Sequence, residues 1–269
     1  MLNTHLRHSA ETTQLPRRFF DRYFGIYSHS WIKIDYIGRR GKFFAPFSTP
    51  CHTQNLPLTT ESKISNNDVA VKLGPRSYTI TLGPDSLKSA SRTLAPFVND
   101  RHVVVVSDDN VAALYLGRVK EALAGTASRI DACVVAPGEP SKSVATCDAA
   151  WQQLLEFATD RDSVVIALGG GVVGDLAGFV AATLGRGIDF IQIPTSLLAQ
   201  VDSSVGGKVG SNLPNSKNLV GAFWQRKSVI LDPLVLTTLD EANYLAGMAE
   251  VIKYGLIMDL PLFETIEKN

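Results

Sequence analysis

SVVIALGGGVVGDLAGF, residues 163–179, decides the fold. Its first six residues form a short apolar, β-branched run, the mark of a strand buried on both faces. Three glycines interrupt it, and an apolar stretch with helical spacing follows. Hydropathy alone flags 164–182 as a membrane span. The five glycines, Asp175 and the break at 169–171 deny that span its unbroken apolar helix. The run is a strand, a tight turn and a buried helix.

The same alternation extends in both directions. YTITL (78–82) alternates between Gly74-Pro75 and Gly83-Pro84 and reads as a strand. HVVVVS (102–107), ACVVAP (132–137), 190–193 and SVILD (228–232) read as further strands. Residues 108–124 and 144–158 have helical spacing, with Trp151, Leu154, Leu155 and Ala158 on one face. Strands alternating with helices make an α/β fold with a parallel sheet covered on both faces. No fixed period recurs, which excludes a solenoid.

The 269 residues carry 26 Lys+Arg against 26 Asp+Glu and are 45% hydrophobic. Such a chain buries a core and gives no electrostatic reason for nucleic acid as its main partner. Three cysteines (Cys51, Cys133, Cys147) without a C-x-x-C pair fit a reducing, cytoplasmic compartment rather than a disulfide framework. Residues 1–65 differ from the rest: they hold nine Lys/Arg, four Asp/Glu and 10 of the 22 aromatics. They show no sustained period and end in a Ser/Thr/Pro/Asn-rich linker. Without an apolar h-region they are not a secretory signal, and Glu11, Asp21 and Asp35 count against a transit peptide. Interleaved basic and aromatic residues allow nucleic-acid or membrane-surface binding. The favoured reading is a disordered leader, or sequence upstream of the true start.

Polar clusters fall at the carboxyl ends of the expected strands, where parallel sheets bind ligands. Glycines 169–171 let the backbone approach a ligand, and the helix N-terminus behind them offers N–H groups to an anion such as a pyrophosphate. The pattern is not G-x-G-x-x-G. Asp175 would repel a phosphate and fits a ribose or nicotinamide edge better. Asp108 and Asn110 follow the 102–107 strand; Asp108 either holds ribose hydroxyls or caps the next helix. Pro137 to Lys142, including Gly138 and Glu139, form a turn, and Thr195 and Ser196 follow the 190–193 strand. QVDSSVGGKVGSNLPNSKN (200–218) reads as a long polar loop. Its Asp202, Lys208, Asn212, Lys217 and Asn218 suit an anionic, polyhydroxylated ligand, or are simply solvated. AGMAEVIKYGLI (246–257) reads as a buried helix with Glu250 and Lys253 on one face, toward a site.

In this order and spacing, GGGVVGDLAGF, IQIPTSLLAQVDSSVGGKVG, KNLVGAFWQ and AGMAEVIKYG resemble the 3-dehydroquinate synthase family of sugar-phosphate cyclases, from about residue 70 to the end. The resemblance implies a Rossmann-like NAD-binding domain and the start of an all-helical one. It implies conversion of 3-deoxy-arabino-heptulosonate 7-phosphate to 3-dehydroquinate and phosphate, using NAD and a divalent metal, zinc or cobalt. An alcohol is oxidised transiently, phosphate is eliminated, the ketone is reduced again and the ring recloses. The metal serves by lowering the pKa of that alcohol.

By resemblance, Asp108 and Asn110 contact the adenosine side of NAD. Gly138, Glu139 and Lys142 belong to its cofactor turn, and Gly170, Gly171, Val172, Val173, Gly174 and Asp175 to its pyrophosphate and nicotinamide loop. Thr195, Ser196, Thr237 and Thr238 add cofactor contacts. Asp202, Lys208, Asn218 and Lys253 are implied at the substrate, Lys208 and Lys217 also near the cofactor. Arg186 is implied to reach the substrate phosphate of a neighbouring subunit in a homodimer, and Glu250 to ligate the metal. The family adds two His ligands after that Glu; here all five histidines (His5, His8, His29, His52, His102) precede it. The expected organisation is a leader over 1–66, an NAD-binding domain over 67–242, and over 243–269 the first helix of a largely missing helical domain. A chain so organised is expected to be inactive alone. Other readings are another sugar-phosphate cyclase, a glycerol-dehydrogenase-type enzyme, or an NAD-binding remnant.

Overall fold

The computed structural model describes residues 68–268. The leader assigned to 1–66 lies outside the described residues. A seven-stranded sheet has the order β1-β2-β9-β6-β5-β3-β4. Its strands are β1 (Asp68–Val71), β2 (Tyr78–Leu82), β3 (His102–Asp108), β4 (Arg129–Val135), β5 (Val164–Gly169), β6 (Asp189–Pro194) and β9 (Ser228–Leu231). All neighbours pair in parallel except β1, which runs antiparallel to β2 at the edge.

Val103 and Val105 on β3, with Ile166 and Leu168 on β5, face one layer. Val104 and Val106, with Val165 and Ala167, face the other. Strict alternation of buried aliphatic residues, most of them β-branched, thus supplies both cores at once. The first layer is α1 (Ala90–Val98) and α2, which runs from Asp109–Val111 through a π-helical Ala112–Leu116 into Gly117–Leu123. The second is α3 (Val144–Glu156) and α4 (Gly171–Thr183). The connection leaving β3 therefore passes to one face, and that leaving its neighbour β5 to the other. Adjacent strands whose helices diverge leave a crevice at their carboxyl ends.

Two expectations need correction. Residues 200–218 are not a loop: β7 (Lys208–Leu213) and β8 (Ser216–Phe223) form an antiparallel hairpin over α4, turning at Pro214 and Asn215. Val209 and Ser211 point inward while most of β8 is exposed, so one face alone carries the strand pattern. The helix containing 246–257 is α5 (Glu241–Met258), followed by α6 (Leu260–Glu267). It is not buried all round. Gly247, Val251 and Gly255 are buried, whereas Leu256 and Ile257 are 62% and 65% exposed. Val251 and Leu262 join Leu197, Val201 and Leu236 in a small separate core that seats α5 and α6 on the segment after β6.

Candidate cofactor and substrate site

The site grows from the glycine turn. Gly170 caps α4 without any side-chain bond, and the first turn of α4 holds no acidic residue, so its leading N–H groups face outward unclaimed. A Cβ on Gly170 would stand 3.3 Å from Ser196 Oγ, and one on Gly171 3.1 Å from Ser203 Oγ. The cradle is thus open because no side chain fills it. Thr195 N donates to Gly169 O at 3.0 Å, which ties the end of β6 to the turn.

Lys142 is the centre of the polar group. It is 4% exposed, and its Nζ donates both to Asp175 Oδ2 on α4 and to Asn218 Oδ1 on β8. Asn218 takes a positive φ of 57° at that point. The hairpin is laced to the cofactor turn nearby: Asn212 N donates to Lys142 O at 2.8 Å, and Asn212 Nδ2 to Glu139 Oε1 at 2.8 Å. Asn212 Oδ1 accepts from Asn218 N at 2.9 Å. Burial pushes the Asp175 carboxyl above its usual range, and the cations Lys142 and Arg226 oppose that rise. Asp175 is thus held by Lys142.

A second group lies beyond Ser203. Asp202, in the π-helical turn Ala199–Ser203, accepts from Tyr254 on α5 at 2.9 Å. One turn back along α5, Glu250 pairs with Lys253, whose ammonium lies 4.8 Å from the Tyr254 ring centre. Lys253 is half exposed, and its partner is its own helix neighbour. Among the described residues no group of three or more His, Cys, Asp or Glu side chains could hold a metal. Glu250 is a single carboxylate, so the described residues do not by themselves make a metal site.

The other expected residues are spread around these two groups. Asp108 Oδ1 accepts from Val111 N at 3.0 Å and so caps α2, with Asn110 exposed on the first turn. Thr237 and Thr238 lie in the turn Pro233–Thr238 after β9; Thr238 Oγ1 is 2.7 Å from Tyr115 OH. Lys208 and Lys217 are exposed on the hairpin. Arg186 is not brought to the site. It sits beyond the carboxyl end of α4, just before β6 begins, so the length of that helix separates it from the glycine turn.

Residues 132–246 match the family described as 3-dehydroquinate synthase N-terminal. Curated relatives include the 3-dehydroquinate synthase of a Ruegeria species, 48% identical over 201 residues, 75% of this chain and 54% of the relative. That of a Thermoanaerobacter species is 50% identical over 205 residues, 75% and 56%. Over these residues the chain is similar to 3-dehydroquinate synthases. The chain spans about half the length of the curated family members it matches. Solved cyclases have the same fold. One is 2-deoxy-scyllo-inosose synthase complexed with carbaglucose-6-phosphate, NAD+ and Co2+ (26% identity, TM-score 0.66, 71% of this chain and 52% of that one). Another is 2-epi-5-epi-valiolone synthase from Streptomyces hygroscopicus with NAD+ and Zn2+ (27%, 0.65, 79% and 55%). An iron-containing alcohol dehydrogenase, at 18% and 0.55, shares the fold alone.

Two residues of the site were not among the expected ones. Tyr254 carries no signal of its own within AGMAEVIKYG, and its partnership with Asp202 spans 52 positions. Arg226 is fully buried, yet a lone Arg in the polar run QRK carries no sequence signal of burial.

Proposed function

We propose that this chain contributes the NAD-binding half of a 3-dehydroquinate synthase, a phosphate-eliminating cyclase acting on 3-deoxy-arabino-heptulosonate 7-phosphate. The observation that carries the reading is the meeting of Lys142, Asp175 and Asn218 beside an unfilled helix N-terminus at the crevice between β3 and β5. Identity near 48% to 3-dehydroquinate synthases, against 26–27% to the inosose and valiolone enzymes, favours this substrate over theirs.

The N–H groups of Gly171, Val172 and Val173 would take the pyrophosphate, with Gly174 part of the same turn. Lys142 would add a fixed cation, and Glu139 and Gly138 shape its turn. Asp108 and Asn110 would lie at the adenosine end, and Thr195, Ser196, Thr237 and Thr238 along the remainder. When bound, NAD supplies a hydride acceptor for a secondary alcohol of the sugar. Lys208 and Lys217 are flexible cations suited to the substrate's carboxylate and phosphate. Asn218 would orient hydroxyls, and Asp202, aimed by Tyr254, would accept from them. Lys253 and Glu250 would close the substrate side, with Glu250 as one donor toward a divalent ion completed by other ligands. Arg186, remote from its own site, would serve a second copy of the chain. Two buried free thiols, Cys133 and Cys147, suit a reducing, cytoplasmic compartment.

The test is phosphate release from the heptulosonate phosphate in the presence of NAD, a divalent metal and the segment that supplies the remaining metal ligands. Release without accumulating NADH supports a cyclase. Steady NADH formation with a polyol would replace it with a dehydrogenase.

A further inference from the structure

Behind the glycine turn lies a buried chain of contacts that the site above does not use. Arg226, between β8 and β9, is 1% exposed. A guanidinium so placed must find acceptors inside the protein. Its Nε donates to Gln192 Oε1 on β6 at 2.6 Å, and an Nη to the Ser203 carbonyl at 2.9 Å. Its face lies over the Phe190 ring, 5.8 Å from the centre.

Both acceptors press on the cradle. A Cβ on Gly174 would fall on Gln192 Nε2, so that amide occupies the space beneath the first turn of α4. Ser203 Oγ stands 3.1 Å from the place a Cβ on Gly171 would take. Arg226 thus reaches, through Gln192 and Ser203, the two glycines that frame the leading turn of α4. The side chain bridges two separate elements, β6 and the turn Ala199–Ser203, and both of them abut the first turn of α4. Its field also acts on Asp175, the next residue after Gly174.

We propose that Arg226 is a positioning residue for the anion cradle: it sets the height of the first turn of α4 against β6 and the 199–203 turn, and so fixes where a pyrophosphate seats. This rests on the dinucleotide reading of the site. A long apolar side chain of similar volume would fill the same space but would leave Gln192 and the Ser203 carbonyl unheld. The turn would then keep its fold and lose its registration.

The experiment is calorimetric binding of NAD and of adenosine, beside thermal unfolding, for the wild-type chain and Arg226→Met. The variant is expected to bind NAD about tenfold more weakly, the equivalent of one charge-assisted hydrogen bond. Adenosine, which lacks the pyrophosphate, should change by less than about twofold on that same scale. Gln192→Met should reproduce the loss, and the double variant should add little, because both act through one chain of contacts. A merely structural Arg226 would lower the melting temperature and leave NAD unchanged, or weaken both ligands equally; either result overturns the proposal. Arg226→Lys keeps the buried charge and breaks the two-way bridge, and it decides the matter if the Met variant does not fold. Failure of both to fold assigns Arg226 to the core and also overturns it. Wild-type protein that binds no NAD would sink the dinucleotide reading and this proposal together.

Discussion

Lys142 Nζ donates to Asp175 Oδ2 across the gap between the turn after β4 and the first turns of α4. The Lys142 side chain is 5% exposed and that of Asp175 25%, so the ammonium is shut off from water and depends on its protein partners. Losing one charge from such a pair leaves the other uncompensated, which costs more than the pair itself contributes. Lys142→Met is therefore expected to lower unfolding free energy at neutral pH by about 3 kcal/mol. Adding Asp175→Asn should recover most of that loss. Urea denaturation of the two single variants and the double one closes the cycle; a double variant as unstable as the sum of the singles would separate the two residues.

Cofactor affinity provides a second handle on the same pair. If Lys142 neutralises the pyrophosphate, Lys142→Ala should weaken NAD by at least about tenfold. Asp175→Ala frees the ammonium but removes the residue that aims it, and it should weaken NAD as well. Calorimetry showing unchanged affinity for Asp175→Ala would remove that residue from the site.

The protonation of Asp175 gives stability a defined pH trend. Burial holds its carboxyl above the ordinary 3.8, as it does that of Asp232, which accepts from Leu87 N and Leu234 N at 3.0 Å. The folded chain thus binds these protons more tightly than the unfolded one. Their contribution is complete below the ordinary value and is lost as pH rises through the folded one. Asp175→Asn has no proton to lose there. Relative to wild type, it should gain stability as pH rises from about 4 to neutrality. Parallel urea midpoints at the two ends of that range test the sign; a relative loss would contradict it.

Both sheet faces were legible because Val103 to Val106 and 164–168 are β-branched or aliphatic at every position, a pattern that only a strand buried on both sides needs. The glycine turn was legible because nothing else suits a strand that stops against a helix N-terminus. The hairpin was not. Gly206, Gly207, Gly210 and Gly221, together with Pro214 and Asn215, lower the strand signal, and β8 offers α4 only part of one face. The exposure of α5 was equally hidden: Leu256 and Ile257 count as core in any periodicity, whether or not anything covers them. The tie from Lys142 to Asn218 crosses 76 positions and comes into being only when the hairpin folds back.

Gly247 shows how closely α5 approaches the rest. A Cβ there would lie 2.6 Å from Leu197 Cβ and 2.7 Å from Leu198 N. Backbone cannot rotate aside as a side-chain tip does, so Gly247→Ala must lift the helix. The expected cost is about 1–3 kcal/mol, as for other overpacked contacts. The melting temperature should fall, and the Tyr254–Asp202 bond should weaken with it. An unaffected melting temperature would mean that α5 is not seated on Leu197.

Tyr254 offers the sharpest test of the substrate-side geometry. Its hydroxyl donates to Asp202 Oδ1 at 2.9 Å. Burial comes first, then the hydrogen bond to Asp202, then the negative charges of Asp202 and Glu250, in pushing its pKa above the ordinary 10. An ionised Tyr254 would be set against two carboxylates with no proton to share, so the folded chain keeps it neutral. Stability from this group is complete below its ordinary pKa and fades only as pH rises toward the folded value. Tyr254→Phe deletes one oxygen and keeps the ring that lies beside Lys253. It should cost about 1 kcal/mol in unfolding free energy. Ultraviolet titration of the folded protein provides a readout that a packing role would not move. Near pH 10, wild type and Tyr254→Phe should develop the same tyrosinate absorbance, because Tyr254 does not yet ionise. The difference between them should emerge only at higher pH. If the variant instead lacks one tyrosine's worth of signal near pH 10, the hydroxyl is not held by Asp202. Tyr254 would then have no part in aiming that carboxylate.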